Sequence, residues 1–158
     1  MKKTTFIGID PDTEKNGVAI YKNGKIDLLC LDLFDMFNKI HSINCDNEKL
    51  EVVIERGAEN ISLFNAISAG LKTKGNLQSK LRVSANVGSK IGRNFEVTNV
   101  IEQWCKYMNI NHSFFVPKGS KYTHEFVKNK FDIKNRTNPE KRDALRCIAR
   151  FITKTDRQ

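Results

Sequence analysis

Apolar and polar residues alternate along the first 33 residues in the manner of β-strands. Three such segments occur, at residues 4–10, 17–22 and 25–33. A polar turn separates the first two, and Asn23-Gly24 joins the last two. An Asn-Gly pair between alternating segments is the strongest short-range signal for a hairpin. The chain is therefore predicted to open with a three-stranded antiparallel meander.

The following segments alternate between helical and strand-like patterns. Residues 34–43 place apolar side chains, including Phe34, on one face of a predicted helix, and the run EVVIE at 51–55 suits a buried central strand. Residues 56–88 are polar, basic and glycine-bearing, so we expect a loop-rich or short-helix segment with one short strand at 81–85. The remaining predicted elements are a helix over 89–108, a strand over 112–116, a helix over 121–130 and a last helix that begins near Thr137-Asn138-Pro139, where a capping residue precedes a proline. Together they predict one α/β domain over residues 1–158.

Composition excludes several classes of protein. The chain has 158 residues, 39% of them apolar and 28% charged, which is typical of soluble globular domains. No apolar run approaches the roughly 20 residues that span a bilayer, and MKKTTFIGID lacks the apolar segment of a secretory signal. Four separated cysteines without a C-x-x-C pair predict buried thiols of a reduced, cytoplasmic protein: Cys30, Cys45, Cys105 and Cys147. We expect neither a membrane partner nor a zinc site.

The formal net charge of +9 is unevenly distributed along the chain. Residues 1–55 carry 7 basic and 10 acidic side chains, whereas residues 56–158 carry 20 basic and 8 acidic ones. Such a basic segment suits a polyanionic partner. A basic protein kept soluble by its charge is the alternative.

Carboxylates stand where predicted elements end or begin. Asp10 follows the first strand, Glu55 closes EVVIE, and Glu140 and Asp143 are three residues apart in the last helix, hence on one face. Four carboxylates in one site would repel each other without a cation, and oxygen ligands suit Mg²⁺ or Mn²⁺. Two such ions about 3.5–4 Å apart can activate a water and stabilise the leaving oxygen of a phosphodiester.

Three of the four carboxylates also have a structural interpretation, whereas a buried Glu55 at the end of an apolar strand would be costly without a partner. Asp10-Pro11-Asp12 is typical of a turn, and the helix dipole explains Glu140 near a helix N-terminus. Asp143 could pair with an arginine of its own helix: Arg142, Arg146 or Arg150. Spacing alone does not choose between these interpretations.

Three motifs, in this order, cover nearly the whole chain. IGIDPDTEKNGVAIY has an aspartate at the end of a strand, EVVIE ends in a glutamate, and NRTNPEKRDALRCIARFI has an acidic residue three positions before an aspartate. Together they resemble the motifs of the RuvC-like Holliday-junction resolvases. The RDA form of the third motif is most similar to the phage-encoded branch of that family.

The resemblance implies an RNase H-like fold, which is a five-stranded mixed sheet with strands 1–3 antiparallel, flanked by helices. It also implies a homodimer that nicks two opposed strands of a four-way DNA junction and leaves 5′ phosphates. A lysine after the fifth strand, Lys118 or Lys121, would touch the scissile phosphate. The implied ligands of two Mg²⁺ ions, for which Mn²⁺ would substitute, are Asp10, Glu55, Glu140 and Asp143, with Asp10 bridging both ions.

Two positions depart from the family pattern. Glu140 stands where Asp or His is common, which affects the metal preference. The bacterial family has an aromatic residue shortly after the second-motif glutamate, whereas this chain has Ala58 there and its nearest aromatic is Phe64. Junction opening and cleavage-sequence preference are therefore not predicted.

The basic stretch after Glu55 suits contact with a phosphate backbone, which positions DNA without reading its bases. Residues 89–93 are also predicted to open a helix, where exposed N–H groups favour a phosphate. The alternative is a solvated basic face. The candidate DNA-binding residues are Arg56, Lys72, Lys74, Lys80, Arg82, Lys90 and Arg93.

The sequence therefore predicts a metal-dependent, structure-selective endonuclease that resolves four-way DNA junctions. A flap or branched-DNA nuclease, or a ribonuclease H, would share the carboxylates and differ in the binding surface. A catalytically silent nucleic-acid-binding module is a third alternative from another class.

Overall fold

The computed structural model describes residues 4–45, 49–57 and 68–155. It contains five strands and four long helices with defined bounds. In chain order these are β1 (Thr4–Asp10), β2 (Asn16–Lys22), β3 (Lys25–Leu31), α1 (Leu33–Cys45), β4 (Lys49–Glu55), α2 (Leu77–Tyr107), β5 (Asn111–Phe115), α3 (His124–Phe131) and α4 (Pro139–Thr155).

The strands form one mixed sheet in the order β3-β2-β1-β4-β5. β1 pairs antiparallel with β2, and β2 pairs antiparallel with β3, whereas β4 is parallel to β1 and β5 is parallel to β4. This architecture confirms the expected RNase H-like fold, a five-stranded mixed sheet with an antiparallel meander at one side. The two parallel pairings bring the carboxyl ends of β1, β4 and β5 to the same edge.

Each face of the sheet is covered by two helices. Alternate residues such as Ile9 and Ile54 pack with Met36 of α1 and Ile101 of α2 in one core. The opposite faces of the same strands pack against α3 and α4, with Val53 among the buried residues. Because side chains alternate along a strand, the second face also carries the residues two positions from Val53.

Two glycines let α4 lie directly on the sheet. A Cβ at Gly8 would stand 2.1 Å from the carbonyl oxygen of Ala144, and one at Gly17 would stand 2.2 Å from that of Glu140. Any larger residue would push the helix away. The N-terminus of α4 is fixed as predicted, because Asn138 accepts a hydrogen bond from the Lys141 N–H at 3.0 Å.

The predicted strand at residues 81–85 is wrong, since these residues lie inside α2. The predicted helix start at 89–93 is wrong for the same reason. Asn76 caps the helix by accepting from the Ser79 N–H at 2.9 Å, and α2 then continues for 31 residues. Of the segment 56–88, predicted to be loop-rich or to hold a short helix, residues 58–67, including Ala58 and Phe64, lie outside the described residues.

Two smaller expectations also fail. Phe34 is 77% exposed, because the buried stripe of α1 runs through Met36, Ile40 and Ile43. Of the four cysteines, Cys105 and Cys147 are buried but Cys45 is exposed. Within the described residues, no helix is long and apolar enough to cross a membrane.

Candidate active site

Asp10 and Glu55 end adjacent parallel strands. The register pairs Ile9 with Ile54, so the two carboxylates are the next residues on β1 and β4. Each is two positions after a residue on the α4 side, Gly8 and Val53 respectively, and therefore lies on that face. The predicted convergence of two strand-end carboxylates is thus present in the structure.

Asp143 joins them from the first turns of α4. Its side chain is 6% exposed, and its Oδ2 accepts a hydrogen bond from Lys121 Nζ at 2.5 Å. The close seating of α4 on Gly8 and Gly17 holds Asp143 against the sheet edge, since the carbonyls that meet these glycines belong to Glu140 and Ala144 on either side of it. Asp10, Glu55, Asp143 and Lys121 are called the charged cluster below.

The electrostatics of the charged cluster are those of crowded carboxylates. Burial, and then the charges of Glu55 and Asp143, raise the pKa of Asp10 to about 8. Burial and the charge of Asp143 also raise the pKa of Glu55. The hydrogen bond to Asp143, together with the other two carboxylates, raises the pKa of the Lys121 ammonium. Burial beside the same carboxylates raises the pKa of the Cys147 thiol, which lies one turn beyond Asp143.

The donor set suits a hard cation. Glu55 Oε2 is buried and has no hydrogen-bond partner among the residues that the structure describes, and Asp10 and Asp143 bring further carboxylate oxygens to the same edge. A buried carboxylate oxygen without a partner is costly, and a cation would satisfy it. In the arrangement that the described residues adopt, however, no three His, Cys, Asp or Glu side chains are close enough to form a metal-binding group.

Two cavities open between the sheet edge and α2. The smaller, of about 130 Å³, is lined by Asp10 and Glu55 together with Asn94 and Phe95 of α2. The larger, of about 570 Å³, shares Asn94 with it, so the two are neighbours along the helix. These cavities give the candidate site an open side toward α2.

Glu140 faces the larger cavity. It lines that space with Lys90 and Arg93 of α2 and with Asp12 of the turn after β1. Among the described charges, Asp143 shifts the pKa of both Asp10 and Glu55, whereas Glu140 shifts neither. The structure thus brings Asp10, Glu55 and Asp143 within electrostatic range of one another, without the spacing of a metal-binding group, and sets Glu140 beside them.

The two candidate lysines occupy different surroundings. Lys121 contacts Asp143, whereas Lys118 is exposed and lines a separate cavity of about 520 Å³ with Lys130 and Arg150. Lys121 is therefore the lysine that the structure brings to the carboxylates.

Two arginines of α4 hold the segment that carries Lys121. Arg146 Nη2 donates to the carbonyl oxygens of Lys118 and Gly119. Arg142 Nε donates to the Tyr122 carbonyl at 2.9 Å. These arginines thus bond to the loop on both sides of Lys121, whereas sequence reasoning considered them only as partners of Asp143. The spacing of four residues between the two arginines, on either side of Asp143, is visible in the sequence. The carbonyl groups that accept their hydrogen bonds are not.

The predicted DNA-binding residues fall into separate groups. Lys90 and Arg93 line the larger cavity. Lys80 lies on the same helix about 20 Å from Arg93, at 1.5 Å per residue, with Arg82 close to it. Lys72 and Lys74 are exposed in the segment before α2. The Arg56 guanidinium packs over the Phe114 ring at 4.4 Å, beside β5.

No family model and no curated protein matches this chain. Among solved structures, the chain is similar to Thermus thermophilus RuvC in complex with a Holliday junction substrate, with a TM-score of 0.47 and 14% identity over 94% of this chain and 96% of that one. A second structure of Thermus thermophilus RuvC gives a TM-score of 0.45 and 14% identity over 93% and 96% of the two chains. Both are distant likenesses of fold.

Proposed function

We propose that this protein is a metal-dependent endonuclease that resolves four-way DNA junctions by paired nicking as a homodimer, in the manner of the phage-encoded RuvC-like resolvases. The observation that carries the proposal is the convergence of Asp10, Glu55 and Asp143, with Lys121, at the carboxyl edge of an RNase H-like sheet. A structural role alone is a poor explanation for this convergence, because burial, and then repulsion from the neighbouring carboxylates, raises the pKa of Asp10 to about 8.

Asp10, Glu55 and Asp143 would hold Mg²⁺ or Mn²⁺, with two ions per site as the resemblance implies. Divalent ions bound there would supply an activated water and stabilisation of the leaving oxygen. Glu140, which lines the neighbouring cavity, would complete the ligand set from α4.

The chain's own residues provide the rest of the site. The two cavities along α2 form an open approach to Asp10 and Glu55, and Lys90 and Arg93 place positive charge beside it. Such charges position a phosphate backbone without selecting its sequence. Lys121, whose ammonium is paired with Asp143, would contact the scissile phosphate.

Cleavage of four labelled substrates tests the proposal. A four-way junction, a flap, a linear duplex and an RNA–DNA hybrid are each incubated with Mg²⁺, Mn²⁺ or EDTA. Symmetric paired nicks in the junction alone, lost in EDTA, are expected. Cutting of the flap or the hybrid instead would move the function to a flap nuclease or a ribonuclease H, and tight binding without cutting in any metal would favour a silent binding module.

Asp143→Asn is the matched catalytic variant. It keeps the shape of the side chain and removes its charge, so we expect cleavage to be lost while junction binding persists. Asp27→Asn, on the exposed side of β3, is the control and should cleave normally. Full cleavage by Asp143→Asn would contradict the proposed role of the charged cluster.

A further inference from the structure

Lys121 forms an ion pair with one carboxylate of the charged cluster, that of Asp143. Its Nζ lies 2.5 Å from Asp143 Oδ2. We propose that Lys121 and a divalent cation are alternative partners of Asp143, so that Lys121 neutralises the cluster until the cation displaces it. The inference rests on the metal dependence in the proposed function and adds an exchange step within this chain.

The two partners of this ion pair differ in freedom. The Asp143 side chain is 6% exposed, on a helix seated against the sheet, whereas the Lys121 side chain is 74% exposed. A lysine is a point charge on a flexible four-carbon stem, so the ammonium can leave while the carboxylate stays in place. The geometry therefore assigns Asp143 as the fixed member of the pair and Lys121 as the exchangeable one.

Lys121 also serves the rest of the charged cluster. Its charge acts on Asp10 and on Glu55 as well as on Asp143, and it opposes the rise in pKa of the first two. A divalent ion ligated by these carboxylates would carry out the same neutralisation with twice the charge. Two cations in one small site repel each other, so binding of the ion favours release of the ammonium.

The exchange gives the ammonium a second position. Once released from Asp143, Lys121 remains tied to the site because Arg142 and Arg146 hold the loop backbone at Tyr122, Lys118 and Gly119. The charge would then stand at the mouth of the cluster, where a DNA phosphate approaches. Metal binding would thereby both complete the carboxylate site and present the lysine to the substrate.

The test measures Mn²⁺ binding to the full chain without DNA, by the electron paramagnetic resonance signal of free Mn²⁺. Lys121→Met is expected to bind Mn²⁺ about tenfold more tightly than the wild-type chain, the size of effect that one neighbouring unit charge has in a partly solvated site. Lys118→Met, in the same loop but away from Asp143, should bind with wild-type affinity. Lys121→Arg keeps the charge and should bind no more tightly than the wild-type chain.

Thermal unfolding provides a second measurement. In EDTA, Lys121→Met should melt below the wild-type protein, because its carboxylates lose their counter-ion, and saturating Mn²⁺ should raise its Tm more than it raises that of the wild type. If Lys121→Met does not fold even with Mn²⁺, Lys121→Gln replaces it in both measurements.

Equal Mn²⁺ affinity in the wild type and in Lys121→Met or its replacement Lys121→Gln, or no Mn²⁺ binding by any of these proteins, would overturn the exchange. Cleavage of junctions by the wild-type protein is scored separately. Cleavage together with equal affinities rejects the exchange and keeps the nuclease. The predicted affinity change without cleavage of any substrate keeps the exchange and rejects the nuclease.

Discussion

At the scale of one residue, the position of the Asp10 carboxyl in the candidate site lowers the stability of the metal-free protein. The folded chain places this carboxyl where burial and two further carboxylates oppose its ionisation, so its pKa rises from 3.8 to about 8. Between these two values the folded state binds a proton that the unfolded state releases. Stability in the absence of metal therefore falls as the pH rises from about 4 to about 8.

Asp10→Asn should consequently stabilise the metal-free protein. We expect the free energy of unfolding in EDTA at pH 8 to rise by roughly 2–4 kcal/mol, because the amide carries no charge to bury, and the gain to vanish below about pH 4. Urea unfolding across this pH range, followed by circular dichroism, measures the difference.

Asp27→Asn, on the exposed side of β3, supplies the control and should leave the pH dependence unchanged. The same Asp10→Asn variant should lose cleavage. A variant that is less stable than the wild type at pH 8 would mean that Asp10 is satisfied in the folded state.

The sequence could indicate three of the carboxylates that come together, but it also placed Glu140 among them and did not give all of their partners. Asp10 and Glu55 were candidates because each ends an apolar strand, whereas Asp143 was chosen through the resemblance of the third motif, since spacing alone did not separate a ligand from a partner of a neighbouring arginine. Lys118 and Lys121 could not be distinguished, because their positions depend on a loop whose path is set by carbonyl contacts to Arg142 and Arg146. Such contacts leave no pattern in the sequence.

At the scale of elements, the seating of α4 on β1 decides where Asp143 stands. Gly8→Ala would place a methyl group 2.1 Å from the Ala144 carbonyl, and backbone on both sides leaves little room to adjust. We expect the free energy of unfolding to fall by about 3 kcal/mol, as in other overpacked cores. Cleavage should fall with it, because the helix that carries Asp143 must shift.

Gly88→Ala is the matched control, since no atom of the described residues lies within 4 Å of a Cβ at this position in α2. It should raise the free energy of unfolding by about 0.5–1 kcal/mol through the lower entropy of the unfolded chain. Denaturant unfolding of both variants measures the two signs. A neutral Gly8→Ala would show that α4 is not held at the distance that the structure gives.

The prediction of a strand at residues 81–85 was wrong because the alternation of apolar and polar residues there does not correspond to burial of the apolar side chains. Leu81 is 53% exposed and Val83 is 40% exposed, so neither packs on a core that could select a strand. The Asn76 cap and the continuous backbone of α2 decide the conformation instead. The buried strands, whose apolar residues do contact a core, were predicted within a few residues of their bounds.

The loop between β5 and α3 depends on α4 in the same way. Arg146→Gln removes the donors to the Lys118 and Gly119 carbonyls, so Lys121 should be held less firmly at Asp143. If the exchange proposed above operates, Mn²⁺ affinity should rise part of the way toward that of Lys121→Met. Mn²⁺ titration measures it, with Arg150→Gln, on the exposed face of α4, as the control. An affinity equal to that of the wild type would show that the loop holds its position without Arg146.

At the scale of the whole molecule, the chain has a net charge of +9, and its basic side chains lie on separate surfaces. The contribution of each surface to DNA binding can be tested independently. Lys90 and Arg93 lie beside the candidate site, whereas Lys72 and Lys74 lie just before the N-terminus of α2. Both pairs suit a phosphate backbone, but only the first adjoins the carboxylates. The composition of the sequence was enough to predict a basic segment. The separation of that segment into two surfaces follows from the length of α2, which the pattern of residues 77–88 did not indicate.

Alanine substitution of each pair should therefore give two different results. Both double variants should weaken binding to a four-way junction in EDTA, and each should reduce the slope of log K against log salt by about 1–2, since each lost phosphate contact removes about 0.9. Only Lys90→Ala with Arg93→Ala should also slow cleavage of saturated complexes, because those side chains adjoin Asp10 and Glu55.

The control of equal charge is Lys25→Ala with Lys39→Ala, two residues that line a cavity away from the charged cluster. Salt slopes that change equally in all three double variants would indicate a diffuse charge effect. Unchanged slopes in both the Lys72/Lys74 and the Lys90/Arg93 variants would place the DNA on another face.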